Sequence, residues 1–223
     1  MRKYIELIVK NLIIIRKYYV PLIIVLVAVP IFVANTLNSY YGGIIPLIFQ
    51  TMFVIYFVYD QIASVENKYN GWIFLCVTKY SRKSQVLSLY LTLIIMYFVS
   101  LIVYCFIDFL PTKSLINIEL PHLSLSKVTI VFSILALMYS IFIPFLYKLG
   151  YDRAKLIPLV ATIAIPWCTG LLSNVNFSWL DRNVNIQFLF KYGATILFII
   201  ALIALCISIM VSVTIYKNKE LNL

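Results

Sequence analysis

The sequence predicts an all-α, polytopic membrane protein. It has six transmembrane helices, an N-terminal interfacial helix before the first of them, and both ends in the cytoplasm. Three observations predict this. Of 223 residues, 63% are hydrophobic and 12% charged, against roughly 45–50% and about 25% in soluble domains. A soluble fold of this size cannot hide so much apolar surface, because part of any fold faces water. The apolar residues also gather into six runs, each near the ~20 helical residues that a ~30 Å hydrocarbon core requires. Finally, Lys and Arg are shared unequally among the segments between those runs.

The first element covers residues 1–17 of MRKYIELIVKNLIIIRKYY. Ile5, Leu7, Ile8, Leu12 and Ile15 can share one helical side, while Arg2, Lys3, Glu6, Lys10 and Lys17 tend to the other. That pattern suits a helix lying in the membrane interface. No A-x-A cleavage site follows, so the segment does not read as a signal peptide. The six spans run over 18–38, 44–63, 85–107, 127–147, 155–174 and 191–216. Helices are required because backbone groups in hydrocarbon must bond internally, and the runs lack a barrel strand's alternation. Polar or turn residues separate the runs, among them Asn35, Thr36, Asn38, Ser39, Gly42 and Gly43, then 64–84, 108–126, 148–153 and 174–190. Pro21, Pro30, Pro46, Pro144, Pro158 and Pro166 fall inside spans or at their ends, where membrane helices tolerate a kink.

Orientation follows from the basic residues. Arg2, Lys3, Lys10, Arg16, Lys17, Lys68, Lys79, Arg82, Lys83, Lys148, Arg153, Lys155, Lys217 and Lys219 fall on one side. Only Lys113, Lys127, Arg182 and Lys191 fall on the other. The rich side is the cytoplasmic one. This placement accounts for the net charge of +10 without nucleic acid, whose binders cluster their charge on a soluble face.

The chain carries little chemistry of its own. Cys76, Cys105, Cys168 and Cys206 stand far apart in apolar surroundings and signal neither a disulfide frame nor a metal site. His122 has no second ligand nearby. No paired acid or H-E-x-x-H motif is present, so no catalytic residue is expected and the chain does not read as an enzyme. No glycine precedes a lysine, so the phosphate-holding G-x-x-x-x-G-K-[ST] loop is missing. No charge sits at a span's centre, with Asp60 and Asp108 near span ends, which speaks against a proton-coupled carrier or ion pump. Gln50, Thr51, Tyr56, Tyr59 and Thr169 are the candidates for a translocation path, together with Ser140, although such groups also join helices to one another.

The segment 64–84 is the most informative. It contains Glu66, Asn67, the pair Gly71–Trp72, a short amphipathic turn, and Ser81–Arg82–Lys83 at the entry to the third span. Ser81 suits the N-cap. Arg82 and Lys83 then fall in the first turn, where the helix dipole disfavours cations, so lipid phosphate or an acidic partner must offset them. In this the chain resembles the type 2 family of ABC transporter permeases. It is similar to a small six-span branch, including peptide-export and bacteriocin-immunity permeases, whose loop reads as an acidic residue, an apolar helix and L-P-V-S-R-x-x-I-V. Glu66, Ser81, Arg82 and Val86 match, whereas Thr78 and Lys79 stand at the leucine and proline positions. The resemblance implies a permease with no cofactor on this chain, ATP and Mg being bound by a separate cytosolic ATPase. It also implies pairing with a second permease, as homodimer or heterodimer. The ATPase contact would be Glu66, Asn67, Gly71, Trp72, Ser81, Arg82 and Lys83. Cargo would be an amphipathic peptide or another hydrophobic substrate, and the location a bacterial cytoplasmic membrane. The alternatives are a stand-alone immunity or sensor protein that binds a peptide without ATP, and a membrane enzyme.

Overall fold

A computed structural model describes residues 2–36, 44–69, 80–109, 123–173 and 184–218. Within these, only the backbone is described for 2, 3, 34–36, 166, 167, 169–173 and 184–191. The described residues form eight helices: α1 (Arg2–Arg16), α2 (Tyr19–Thr36), α3 (Ile44–Lys68), α4 (Arg82–Phe109), α5 (Leu125–Leu149), α6 (Tyr151–Ala154), α7 (Leu156–Ser173) and α8 (Val184–Asn218). Among them α3, α4, α5 and the Tyr192–Asn218 part of α8 are each long and apolar enough to cross a membrane. The pair Tyr4–Arg16 and Tyr19–Val33 passes the same test jointly, bent by 82° at the intervening turn. The 18 residues of α7 contain no charged side chain. This is a helical, multi-pass membrane protein.

The packing places α3 at the centre, touching α1, α2, α4, α5, α6 and α7. Its apolar window is 61% buried inside the protein, whereas that of α8 is 17% buried, so α8 is a peripheral helix with a wide outward face. It lies along α5 and crosses α4. Met52, Val54, Ile55, Val58 and Ile62 of α3 form one core with Leu22 and Leu26 of α2, Leu89 and Leu93 of α4, and Leu135 and Ile143 of α5. The turn out of α5 needs Gly150, whose φ of 81° is open to glycine and strained for other residues. Its N–H bonds to the Leu146 carbonyl and closes the helix.

The amphipathic N-terminal segment is helical and has three faces. Leu7, Asn11 and Ile15 are buried against the bundle, Ile5, Val9 and Ile13 are exposed, and Glu6 and Lys10 lie between. A continuous apolar arc therefore has one edge on protein and the other unpartnered. The Tyr18 ring meets Phe57 at 5.9 Å, near the middle of α3. At the α1–α2 bend Tyr18 therefore packs on α3, while Arg16, Lys17, Tyr19 and Val20 are exposed. The segment 64–84 also differs from a plain loop: α3 continues to Lys68 and α4 begins at Arg82. Glu66 and Asn67 are therefore helical residues. Gly71 and Trp72 lie outside the described residues.

Candidate functional site

The ends of α3 and α4 that flank residues 70–79 are both attached to α1. Glu66 is 6% exposed on the last turn of α3. Its carboxylate accepts a hydrogen bond from Lys10 Nζ of α1. A buried carboxylate without a partner is strongly destabilising, so this pairing makes the burial of Glu66 tolerable. One turn earlier on α1, Glu6 Oε2 accepts from the Tyr80 hydroxyl at 2.6 Å. That hydrogen bond, aided by desolvation and the Glu6 charge, raises the Tyr80 phenol above its ordinary range. Asn11 Nδ2 donates to Thr92 Oγ1 of α4 at 3.0 Å. Lys10, Glu6 and Asn11 of α1 thus reach the exit of α3, the approach to α4 and the side of α4.

Ser81 caps α4: the Ser84 N–H donates to its Oγ at 3.2 Å, the N3 bond of an N-cap. Arg82 Nη1 donates to the carbonyls of Tyr216 at 3.0 Å and Lys217 at 2.6 Å, at the end of α8. Its guanidinium also lies 5.7 Å from the centre of the Tyr216 ring. The unfavourable place of the Arg82 cation in the first turn of α4 is therefore offset by the negative end of α8. Lys83 is exposed. Asn67, also exposed, donates to Asp152 Oδ2 at 3.3 Å. The Tyr151 hydroxyl donates to Asp60 Oδ1 at 2.8 Å. Burial first, and then Asp60, raises the Tyr151 phenol.

A second group of polar contacts joins α4, α5 and α8. The Tyr216 hydroxyl donates to Gln85 Oε1 at 2.7 Å, and its ring lies 5.1 Å from that of Tyr147. Ser208 Oγ donates to the Ser140 carbonyl at 2.6 Å. With its proton so placed, Ser208 accepts from the Tyr90 hydroxyl, 2.6 Å away, and Ser212 lies 3.1 Å from the same phenol. None of these three helices could be matched from sequence, because Tyr90 and Ser208 are 118 residues apart. The only local signal is the serine pair at i and i+4, which marks a face of α8 without naming its partner.

Of the path candidates, Gln50, Thr51, Tyr56 and Tyr59 lie on α3 and Thr169 on α7, which touches α3. Gln50 Nε2 donates to the Ser100 carbonyl at 3.2 Å and so joins α3 to α4. Thr51 Oγ1 donates within its own helix, to Leu47 O at 2.7 Å and to Ile48 O at 3.1 Å. Tyr56 is half-buried. Tyr59 is 1% exposed, and its hydroxyl has no partner among the described residues. Thr169 is on α7, and its side chain is outside what is described. Among the described residues no three His, Cys, Asp or Glu side chains group as a metal site.

Sequence comparison supplies the class. Residues 6–217 match the family described as ABC-2 family transporter protein. The chain belongs to that family. No curated protein and no solved structure matches it. As an ABC-2 transporter protein it is a membrane component of a transport system, and membership implies association with an ABC ATPase and a lipid bilayer.

Proposed function

We propose that this chain is the membrane-spanning permease subunit of an ATP-driven exporter of amphipathic peptides or similarly hydrophobic cargo. A separate cytosolic ATPase, with its ATP and Mg, docks on the segment between α3 and α4. The chain crosses a bacterial cytoplasmic membrane six times with both ends inside, and it works as a dimer with itself or a similar permease. Membership of the ABC-2 family over residues 6–217 carries this reading. The excess of basic residues around 64–84 supports a cytoplasmic position for the docking segment. An interior of Ile, Leu, Phe and Tyr, without central charge, suits amphipathic cargo better than ions or sugars.

The expected ATPase contact is Glu66, Asn67, Gly71, Trp72, Ser81, Arg82 and Lys83, and of these Asn67 and Lys83 are exposed. Trp72 serves as the apolar anchor, since Trp is favoured at binding hot spots. The test is co-purification in mild detergent from cells producing the neighbouring genes. The tagged chain should bring down an ATPase bearing a P-loop. Trp72→Ala with Lys83→Glu should lower its affinity for the ATPase by about thirty-fold or more, the loss of one hot spot, read as lost recovery. A chain that purifies alone, unaffected by both substitutions, defeats the proposal.

A further inference from the structure

One carboxylate lies within the membrane-crossing part of α3. Asp60 falls near the end of the span that the sequence predicts, but α3 continues to Lys68, about 12 Å further along the axis. The 25 residues of α3 measure about 37 Å and so overhang a ~30 Å hydrocarbon core by about 7 Å in all. Asp60 therefore lies inside the hydrocarbon, on its cytoplasmic side. It is half-buried. The Tyr151 hydroxyl donates to its Oδ1 at 2.8 Å, whereas a carboxylate can accept about four such bonds. Among the described residues no lysine or arginine forms an ion pair with Asp60. Lys155 is engaged on the Tyr151 ring instead, its Nζ 5.8 Å from the ring centre.

Asp60 ends a partly open stripe of α3. Phe49, Phe53, Tyr56 and Asp60 stand at i, i+4, i+7 and i+11, the spacing of one helical face. All four are half-buried, while Gln50 to Met52, Val54, Ile55, Val58 and Tyr59 are buried. The rings of Phe49 and Phe53 stack at 6.2 Å. Three aromatic rings thus lead along about 16 Å of helix to one carboxylate. Lipid tails suit the rings but leave the carboxylate uncompensated, which is costly in hydrocarbon. A calcium ion needs about six or more oxygen ligands, and no three His, Cys, Asp or Glu side chains group among the described residues. An ammonium or guanidinium is well served by a single carboxylate and is attracted to aromatic faces. An apolar body attached to that cation matches the three rings.

We propose that Asp60 receives a cationic side chain of an amphipathic peptide cargo, whose apolar side chains lie along Tyr56, Phe53 and Phe49. The inference rests on the export reading above and adds the sign of the cargo's charge, and its test uses this chain alone. Full-length protein in phosphatidylcholine nanodiscs is titrated into a dye-labelled amphipathic helical peptide of leucine and lysine. A counterpart with glutamine for lysine is titrated in parallel, and empty nanodiscs are the blank. The lysine peptide should bind more tightly than the glutamine peptide by about ten-fold or more, the worth of a hydrogen bond to a charged group. Asp60→Asn keeps an acceptor for Tyr151 and should remove that advantage while leaving the glutamine peptide unchanged. Phe53→Ala should weaken both peptides alike.

Equal affinity of the parent protein for the two peptides overturns the proposal, with no variant needed. So does an Asp60→Asn effect that is the same for both peptides, which would make Asp60 a structural residue. Binding no tighter than to empty nanodiscs assigns the stripe to lipid and overturns it too. The two readings fail separately. Coupling of Asp60 to the peptide's lysines without ATPase recovery removes the transporter and keeps the site, and ATPase recovery without that coupling does the reverse.

Discussion

Two regions flank the segment between α3 and α4, and they are held by different chemistry. On the α1 side the contacts use charged groups: Lys10 on Glu66 and Tyr80 on Glu6. On the α8 side, apart from Arg82 on two carbonyls, they are neutral: Tyr216 on Gln85, and Tyr90 with Ser208 and Ser212. The Lys10 side chain is 31% exposed, so its ammonium can exchange Glu66 for water or lipid phosphate. The hydroxyls of Tyr90, Ser208 and Ser212 are buried and have no such substitute. Parting α1 from α3 would strand the buried Glu66 carboxylate, whereas parting α4 from α8 would strand neutral hydroxyls, so the α1 side carries the larger single cost.

Lys10→Met should break the comparison most severely. It leaves the Glu66 carboxylate buried and uncompensated, which costs about 3–5 kcal/mol and should appear as a lower unfolding midpoint in detergent. Lys10→Met combined with Glu66→Met should recover most of that loss, since replacing both partners of a buried pair is often neutral. If the double variant is no better than the single one, the α1 contact is not an ion pair in the folded protein.

Arg82→Ala comes next. It removes a charged donor from two carbonyls, a loss of about 2 kcal/mol, and should hasten tryptic cleavage at Lys217 by loosening the last turn of α8. Arg82→Lys should restore this only in part, because lysine lacks the planar fork. Equal cleavage in Arg82→Ala and the parent would remove Arg82 from the seam. Tyr90→Phe should cost about 1 kcal/mol and leave the α1 contacts intact, as read by an unchanged effect of Lys10→Met in its background. Thr51→Val should have the smallest effect, about 0.5 kcal/mol or less, because the hydroxyl serves carbonyls of its own helix. Loss of transport with unchanged stability in Thr51→Val would instead place this residue on the path.

The candidate site was legible in part. Ser81 as the N-cap of α4 could be read directly, since a cap is a contact across three residues. The first-turn position of Arg82 announced a cation needing an anion, yet its acceptors are carbonyls 134 and 135 residues away. Glu66 stood out beside the loop, whereas Lys10 looked like one more basic residue of a surface helix. Tyr90 gave no signal, because a tyrosine in an apolar run looks the same whether it meets a distant serine or lipid.

By itself the sequence determined the solvent and the secondary structure of this protein. Its lack of charge requires lipid, and lipid requires each apolar run to satisfy its own backbone as a helix, a local demand that leaves little choice. Only the tertiary structure decided that α1 and α2 meet at 82°, that α3 is the hub, and that Arg82 faces α8. Burial in hydrocarbon barely distinguishes one apolar neighbour from another. Which helices meet is settled by the few polar side chains that find each other across the bundle, and those pairings leave no periodic trace along the chain.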